Sequence, residues 1–251
     1  LRVGEGVRPA VYGRAEPEQG RARTGDMGQN EPMDVDDMFG RLASAIGQGH
    51  AAAPPSRIPQ GTREAAVLVL FDSGHGPAVD DLALTFVEKS ALLRRHAGQI
   101  AFPGGRVEPE DADMTATALR EAHEETGLTP NDVTVRATMP KVSVPSGYDV
   151  TAVIAHGART PELRVNDPGE IAAVHRIPVA TLIDPAHRLT ATFEEPRPYA
   201  GPAFGVPAEG ARPGVCIWGM TAHLLDTIFT LAGLDQDWDR DRRVPVPQQY
   251  R

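Results

Sequence analysis

The chain has one cysteine, Cys216, in 251 residues, so no intrachain disulfide can form. That suits a reducing, cytoplasmic compartment. Cys216 stands among Val215, Ile217 and Trp218, the setting of a buried structural thiol rather than a nucleophile. Long apolar runs are also lacking. No stretch approaches the roughly 18 residues a membrane helix needs, and the N-terminal segment has no signal-like apolar core. Positive charge is in deficit, with a formal net charge of −9. That excludes gripping nucleic acid through a broadly basic face. It leaves room for a small anionic substrate, because a bound metal and a few arginines reverse the sign locally. There is no internal repeat. The length allows one domain with a substantial core plus tails.

Residues 1–60 are rich in Gly, Pro, Arg, Gln and Ala and show no sustained apolar periodicity. They read as a disordered or weakly ordered extension and linker, with Pro54-Pro55 inside the linker. Within them Met38, Leu42 and Ile46 recur at helical spacing and predict a docking helix over residues 33–46. The chain opens on Leu1, and we expect some of the first 26–32 residues to precede the true start, at Met27 or Met33. The main domain is expected over 61–235, followed by a polar tail over 236–251.

Ala65-Ala66-Val67-Leu68-Val69-Leu70-Phe71 is a short apolar run closed by Asp72-Ser73-Gly74, which predicts a buried strand. Further strands are predicted over 82–87, 133–139, 150–155 and 170–177, with a turn at Pro145-Ser146-Gly147. A helix is predicted over 114–126, capped by Asp111 or Asp113 and closed by Gly127. A short helix is expected over 178–183. A longer one over 218–232 carries Leu224, Leu225, Ile228 and Leu231 on one side. The Pro/Gly-rich stretch 194–213 reads as a long loop. Interspersed strands and helices make the class α/β or α+β, in layers.

The chemistry concentrates on the helix over 114–126. Glu121, Glu124 and Glu125 are spaced i, i+3, i+4, which sets their Cβ atoms about 5–6 Å apart on one face. Three carboxylates so close repel one another unless a cation sits between them. A hard divalent cation with oxygen ligands meets that need, and the neighbouring Arg120 can brace a carboxylate. Alone, the three glutamates would read as a solvated acidic face. Upstream, however, lies Ala101-Phe102-Pro103-Gly104-Gly105-Arg106, whose paired glycines allow close backbone approach to a phosphate or metal.

This pattern resembles the Nudix box: Gly, five residues, Glu, seven residues, then Arg-Glu-apolar-x-Glu-Glu-x-Gly-apolar. Here Gly105 is the first glycine and Asp111 replaces the first Glu. Eight residues, not seven, then precede Arg120-Glu121-Ala122-His123-Glu124-Glu125-Thr126-Gly127-Leu128, and Ala122 is a small residue at an apolar position. The longer run Lys89-Ser90, Arg94, Gly98 and Phe102-Pro103-Gly104-Gly105 resembles the signature of the coenzyme A diphosphatase group. Lys89 stands where that signature has Arg, and Thr85-Phe86-Val87 where it has Leu-Leu-Thr. His96 and Gln99 also resemble that group, and so do Val144 to Thr151, Asp167 to Ile171, Ile177 to Ala180 and Ile217 to Ala222. The likeness covers about residues 63–234.

The resemblance implies a mixed β-sheet sandwiched between helices. It also implies Mg²⁺ or Mn²⁺ held by Glu121, Glu124 and Glu125. Arg120 would orient a glutamate, and the general base would be Glu121, Glu124 or Glu170. Lys89, Arg94 and His96 would face a phosphate-rich substrate, with Gly98, Gln99, Gly104 and Gly105 lining it. Ser146 and Tyr148 would border the pocket, and Tyr148 would stack on adenine. The implied reaction splits the diphosphate of coenzyme A or a thioester into adenosine 3′,5′-bisphosphate and a 4′-phosphopantetheine product. The implied partner is this small molecule, not nucleic acid or membrane, and a homodimer is allowed. His75, His156, His175 and His187 lack metal-ligand spacing and read as structural or exposed.

Three other readings stand beside this one. A Nudix hydrolase for ADP-ribose, NADH or a nucleotide shares the box and differs in its pocket. A silent binding module would be expected to lose the box acids, which are present. An isomerase on the same fold would need a catalytic cysteine, and only Cys216 is on offer.

Overall fold

A computed structural model of the chain describes residues 33–51, 61–74, 76–194, 198–210 and 214–246. Met27, Pro54-Pro55 and His75 lie outside them, as does most of the expected N-terminal extension. Its elements are α1 (Val35–Gly47), β1 (Arg63–Ser73), β2 (Leu82–Lys89), β3 (Ile100–Ala101), β4 (Gly104–Arg106) and α2 (Met114–Thr126). They continue with β5 (Thr134–Thr138), β6 (Val142–Ser143), β7 (Tyr148–Gly157), β8 (Ile171–Pro178), α3 (Val179–Ile183), β9 (Arg188–Phe193), β10 (Tyr199–Val206), β11 (Val215–Ile217), α4 (Gly219–Ala232) and β12 (Arg243–Pro245). No helix among the described residues is long and apolar enough to cross a membrane.

Eight strands form a mixed sheet along β3-β2-β1-β7-β5, with β4 on β1, β6 on β7 and β8 on β2. β1 runs parallel to β7 over its length, from Arg63 opposite Tyr148 to Asp72 opposite Gly157. A strand covered on both faces reads as an unbroken apolar run, because neither set of alternating side chains meets water. In β1, Ala66, Leu68 and Leu70 face Ala118 and Ala122 of α2. Val67, Val69 and Phe71 belong to the other core, with Met38, Phe39 and Leu42 of α1 and Leu225, Ile228 and Phe229 of α4. The sheet is thus layered between helices, as expected. Residues 33–46 do carry a helix, and Phe39 meets Phe71 edge-on at 5.6 Å.

The C-terminal third departs from the expectation. The stretch 194–213 is not one loop: Tyr199–Val206 is a strand, antiparallel to Arg188–Phe193. These strands lie in a second sheet of order β11-β10-β9-β12. Gly201, Pro202 and Gly205 hid β10 from a propensity reading. Both glycines lie close under neighbouring side chains. A Cβ on Gly201 would lie 2.5 Å from Tyr199 Oη, and one on Gly205 would lie 2.8 Å from Leu189 Cδ1. β11 pairs with Phe204 to Val206, beyond Pro202. The segment expected as a polar tail supplies β12, parallel to β9, and buries Val246. The predicted 150–155 strand is longer than read, beginning at Tyr148 and ending at Gly157.

Candidate active site

Two glycines dock the acidic helix against the sheet. β4 pairs with β1 so that Gly104 lies opposite Val67 and Gly105 opposite Ala66. Gly104 has φ +158°, and a Cβ there would sit 2.4 Å from Ala66 O and 2.6 Å from Val67 Cα, both backbone atoms that cannot move aside. The bare Gly104 amide donates to Glu125 Oε2 at 3.0 Å. At Gly105 a Cβ would fall 2.3 Å from Glu121 Oε1, so the Glu121 carboxylate lies directly over that backbone. Ala118 and Ala122, both fully buried, let α2 approach β1 closely. Ala122 therefore fills the apolar position of the motif with the size the contact allows. Asp113 caps the helix by accepting from the Ala116 amide at 2.8 Å, and Gly127 closes it at φ +70°.

Arg120 is the hub. Its Nε and Nη2 donate to the two oxygens of Asp111 at 3.0 Å each, a bidentate fork. Nη1 donates to Glu121 Oε1 at 3.1 Å and Glu124 Oε2 at 3.2 Å, and Nη2 also reaches Arg106 O at 2.8 Å. The Arg120 guanidinium, with the Glu108 amide and Thr117 hydroxyl, holds the Asp111 carboxyl well below the usual carboxylate range. Asp111 thus anchors the arginine and does not cap the helix. The shorter side chain at this position, with the extra residue after it, still meets the guanidinium squarely.

Glu125 is the buried acid, its side chain 4% exposed, and Lys89 Nζ lies 2.5 Å from its Oε1. Burial pushes its carboxyl up, Lys89 and the Gly104 amide oppose that, and the nearby Glu170 charge adds to it. Glu121 is also pushed up, by burial first, against Arg120, with Glu125 and Glu124 adding repulsion. Glu124 is the open one, 54% exposed. Among the described residues no three acidic, histidine or cysteine side chains converge on one metal position. Their carboxylates are drawn instead to Arg120 and Lys89. The donor set nevertheless fits a divalent cation. It is all carboxylate oxygen, and such a cation would relieve the repulsion that Glu125 and Glu124 add to the burial lifting Glu121.

The remaining expected residues divide into groups. Glu170 is exposed in the turn before β8, and its carbonyl accepts from the Ser90 amide at 2.7 Å. It therefore sits beside Lys89 as well as Glu125. Gly98, Gln99 and His96 close the hairpin from β2 to β3. The Lys89 amide donates to Gln99 O and the Gly98 amide to Lys89 O, both at 2.9 Å, while His96 Nδ1 and Gln99 Oε1 are 2.8 Å apart. His96 holds φ +61°, the one positive φ at a non-glycine among the described residues. Arg94 is exposed on the same hairpin. Ser146 and Tyr148 are engaged elsewhere: the Arg63 guanidinium stacks 4.0 Å over the Tyr148 ring and donates to Ser146 O at 2.7 Å. One face of the ring expected to take adenine therefore carries Arg63.

Two contributors escaped the sequence reading. Asn166 caps the end of α2, its Nδ2 donating to Glu124 O at 3.1 Å and its amide to Glu125 O at 3.0 Å. Arg63 is visible only once β1 and β7 pair. The histidines stay structural: His156 meets Ser73 Oγ at 2.8 Å, His175 meets Glu88 at 3.0 Å and His187 meets Thr181 O at 2.8 Å. The Cys216 thiol is pushed up to about 11 by burial, the opposite of an activated nucleophile.

Comparison with known proteins adds to this geometry. A protein from Klebsiella pneumoniae subsp. pneumoniae, described as the uncharacterized Nudix hydrolase NudL, is 41% identical over 127 residues, 50% of this chain and 62% of its own length. The protein so described from Cronobacter sakazakii is 37% identical over 153 residues, covering 61% of this chain and 73% of its own. This chain therefore spans less than two thirds of the first of these relatives. Among solved structures, the Nudix hydrolase RenU of M. smegmatis aligns at 25% identity and a TM-score of 0.40, over 51% of this chain and 83% of that one. A Nudix hydrolase from Alicyclobacillus acidocaldarius aligns at 20% identity and a TM-score of 0.41, over 50% of this chain and 82% of its own. Residues 61–198, more than half of the chain and including the Gly104-Gly105 strand and all of α2, match the NUDIX domain, and the chain belongs to that family.

Proposed function

We propose that the chain hydrolyses the diphosphate bond of coenzyme A or its thioesters, releasing adenosine 3′,5′-bisphosphate and a 4′-phosphopantetheine product. The observation that carries the hydrolytic part is the carboxylate pair Glu121 and Glu125, held over Gly105 and Gly104. Glu121, Glu125 and Glu124 would hold the metal, and Mg²⁺ or Mn²⁺ suits their oxygen donors. When bound, that ion supplies Lewis acidity, neutralising diphosphate charge and easing ionisation of water.

The chain's own residues do the rest. Arg120, anchored by Asp111, orients Glu121 and Glu124 and need not touch substrate. Glu170 is the proposed general base: it is exposed and lies near Glu125. Water adds to one phosphorus, the bridging P–O bond breaks, and the proton passes to the base while the leaving phosphate keeps the electron pair. Arg94 and His96, on the hairpin that runs into β4, are the proposed phosphate contacts, with Gly98 and Gln99 shaping their turn. The coenzyme A reading is supported by the spacing of Lys89-Ser90, Arg94, Gly98 and Phe102 to Gly105. The net charge of −9 favours a small-molecule partner over nucleic acid.

The test is incubation with Mg²⁺ or Mn²⁺ and a panel of coenzyme A, acetyl-coenzyme A, ADP-ribose, NADH and dNTPs, with products resolved by chromatography. Adenosine 3′,5′-bisphosphate should appear from the coenzyme A compounds. Good turnover of ADP-ribose with none of coenzyme A would replace the substrate and leave the metal reading standing.

A further inference from the structure

Lys89 was expected to face substrate, but its ammonium is spent on Glu125. The chain has only two lysines, Lys89 and Lys141, its other side-chain cations being arginine and any protonated histidine. Lys89 is a compact point charge at a place where a planar fork would have to meet a single carboxylate oxygen. Its position is set from both sides, since the Lys89 amide and carbonyl are both bonded across the β2–β3 hairpin, to Gln99 O and from the Gly98 amide. The ammonium then lies 2.5 Å from Glu125 Oε1, while Oε2 takes the Gly104 amide at 3.0 Å. Both oxygens of the most buried box carboxylate are thus satisfied by the chain itself. Without Lys89 that carboxylate would be a buried charge with one amide for company, which is costly. The backbone at Glu170 also runs beside Lys89. Glu170 O is bonded to the Ser90 amide, and Ile171 is the register partner of Lys89 on β8.

We propose that Lys89 is an internal counter-cation for Glu125, holding its carboxylate over Gly104 in the metal-free protein and giving way when a divalent cation takes Oε1. The proposal rests on reading Glu125 as a metal ligand. Lys89 is then a positioning residue that sets metal affinity. Its ammonium preserves the geometry of the site, and it opposes metal entry because a cation must be moved aside first.

The test is direct Mn²⁺ titration, with free Mn²⁺ followed by electron paramagnetic resonance and no substrate present. Lys89→Met, which keeps the length and removes the charge, should bind Mn²⁺ about tenfold more tightly than wild type. Unchanged or weaker binding by Lys89→Met would overturn the proposal. A second measurement needs no variant. Protein labelled with ¹⁵N at lysine carries two Nζ signals, and Mg²⁺ should move that of Lys89 and leave that of Lys141. A Lys89 signal unmoved at saturating Mg²⁺ would overturn it too, whether or not Lys89→Met folds. Absence of any Mn²⁺ binding to wild type is a different failure, because it removes the metal reading itself.

Discussion

Arg120 and Arg188 are both pinned by carboxylates, yet they work in opposite ways. Arg120 lies on α2 beside the exposed Glu124, and its guanidinium serves Asp111, Glu121, Glu124 and the Arg106 carbonyl. Arg188, in the second sheet, is 2% exposed. It is packed over Phe204 at 4.3 Å and Trp238 at 4.7 Å, ion-paired with Asp226, and its Nε is buried without a hydrogen-bond partner among the described residues. One arginine organises acids that stay partly open to a ligand. The other fills the space between aromatic rings, its charge answered once. The same residue type marks a site when its bonds gather several partly open acids, and marks packing when its contacts are mostly ring faces.

Substitutions can break that contrast. The largest effect should come from Glu125→Gln, which keeps shape and removes a proposed metal ligand. Turnover is expected to fall at least about 10²-fold with the far-ultraviolet circular dichroism unchanged. Near-normal turnover would return α2 to an ordinary acidic surface. Next, Arg188→Ala should lower stability by about 2–4 kcal/mol through lost ring packing and an ion partner left behind. Denaturant unfolding measures this, and activity per folded molecule should be unchanged. If activity falls instead, Arg188 is no mere packing residue. Asp111→Asn should loosen Arg120 and reduce kcat about 10-fold with little change in KM, the sign of a positioning group. A KM effect alone would move Asp111 to substrate binding.

The smallest effect is on pH dependence, and its sign separates the two kinds of acid. Asp111 has a depressed carboxyl, so its contribution to stability is complete above the unfolded carboxylate pKa and is lost as pH falls through its lower folded value. Glu121 is raised, so any stability it lends is present below the unfolded pKa and is lost as pH rises through its folded value. Metal-free Glu121→Gln should therefore be more stable than wild type at neutral pH, with the gap closing on acidification. Thermal melts across pH would show it, and a gap that widens in acid would contradict it.

How much of this was legible depended on how far apart the partners lie in sequence. α2 was legible because its cap, acid spacing and closing glycine are all local. The 65–71 strand was legible because an unbroken apolar run needs cover on two faces. β10 was not, because Gly201, Pro202 and Gly205 weaken every strand signal, and the tight fit of the two glycines against Tyr199 and Leu189 appears only in the folded chain. The 236–251 tail hid β12 for a related reason: Val244 and Pro245 acquire strand character only by pairing with Ala191 and Thr192. In the site, the acids and glycines were named from sequence, whereas Asn166 and Arg63 were not, since each acts on a residue far along the chain.

By itself the sequence determined the chemistry on offer: three carboxylates on one helical face, an arginine beside them and two glycines ahead, all matters of short-range spacing and side-chain type. Only the tertiary structure decided which cation answers which acid. Lys89 and Glu125 are 36 positions apart, and no local rule joins them. They meet because the β2–β3 hairpin fixes the lysine backbone while β4 docks α2 on β1. In that dry corner a charge must find its opposite, which ties the choice of partner to the packing.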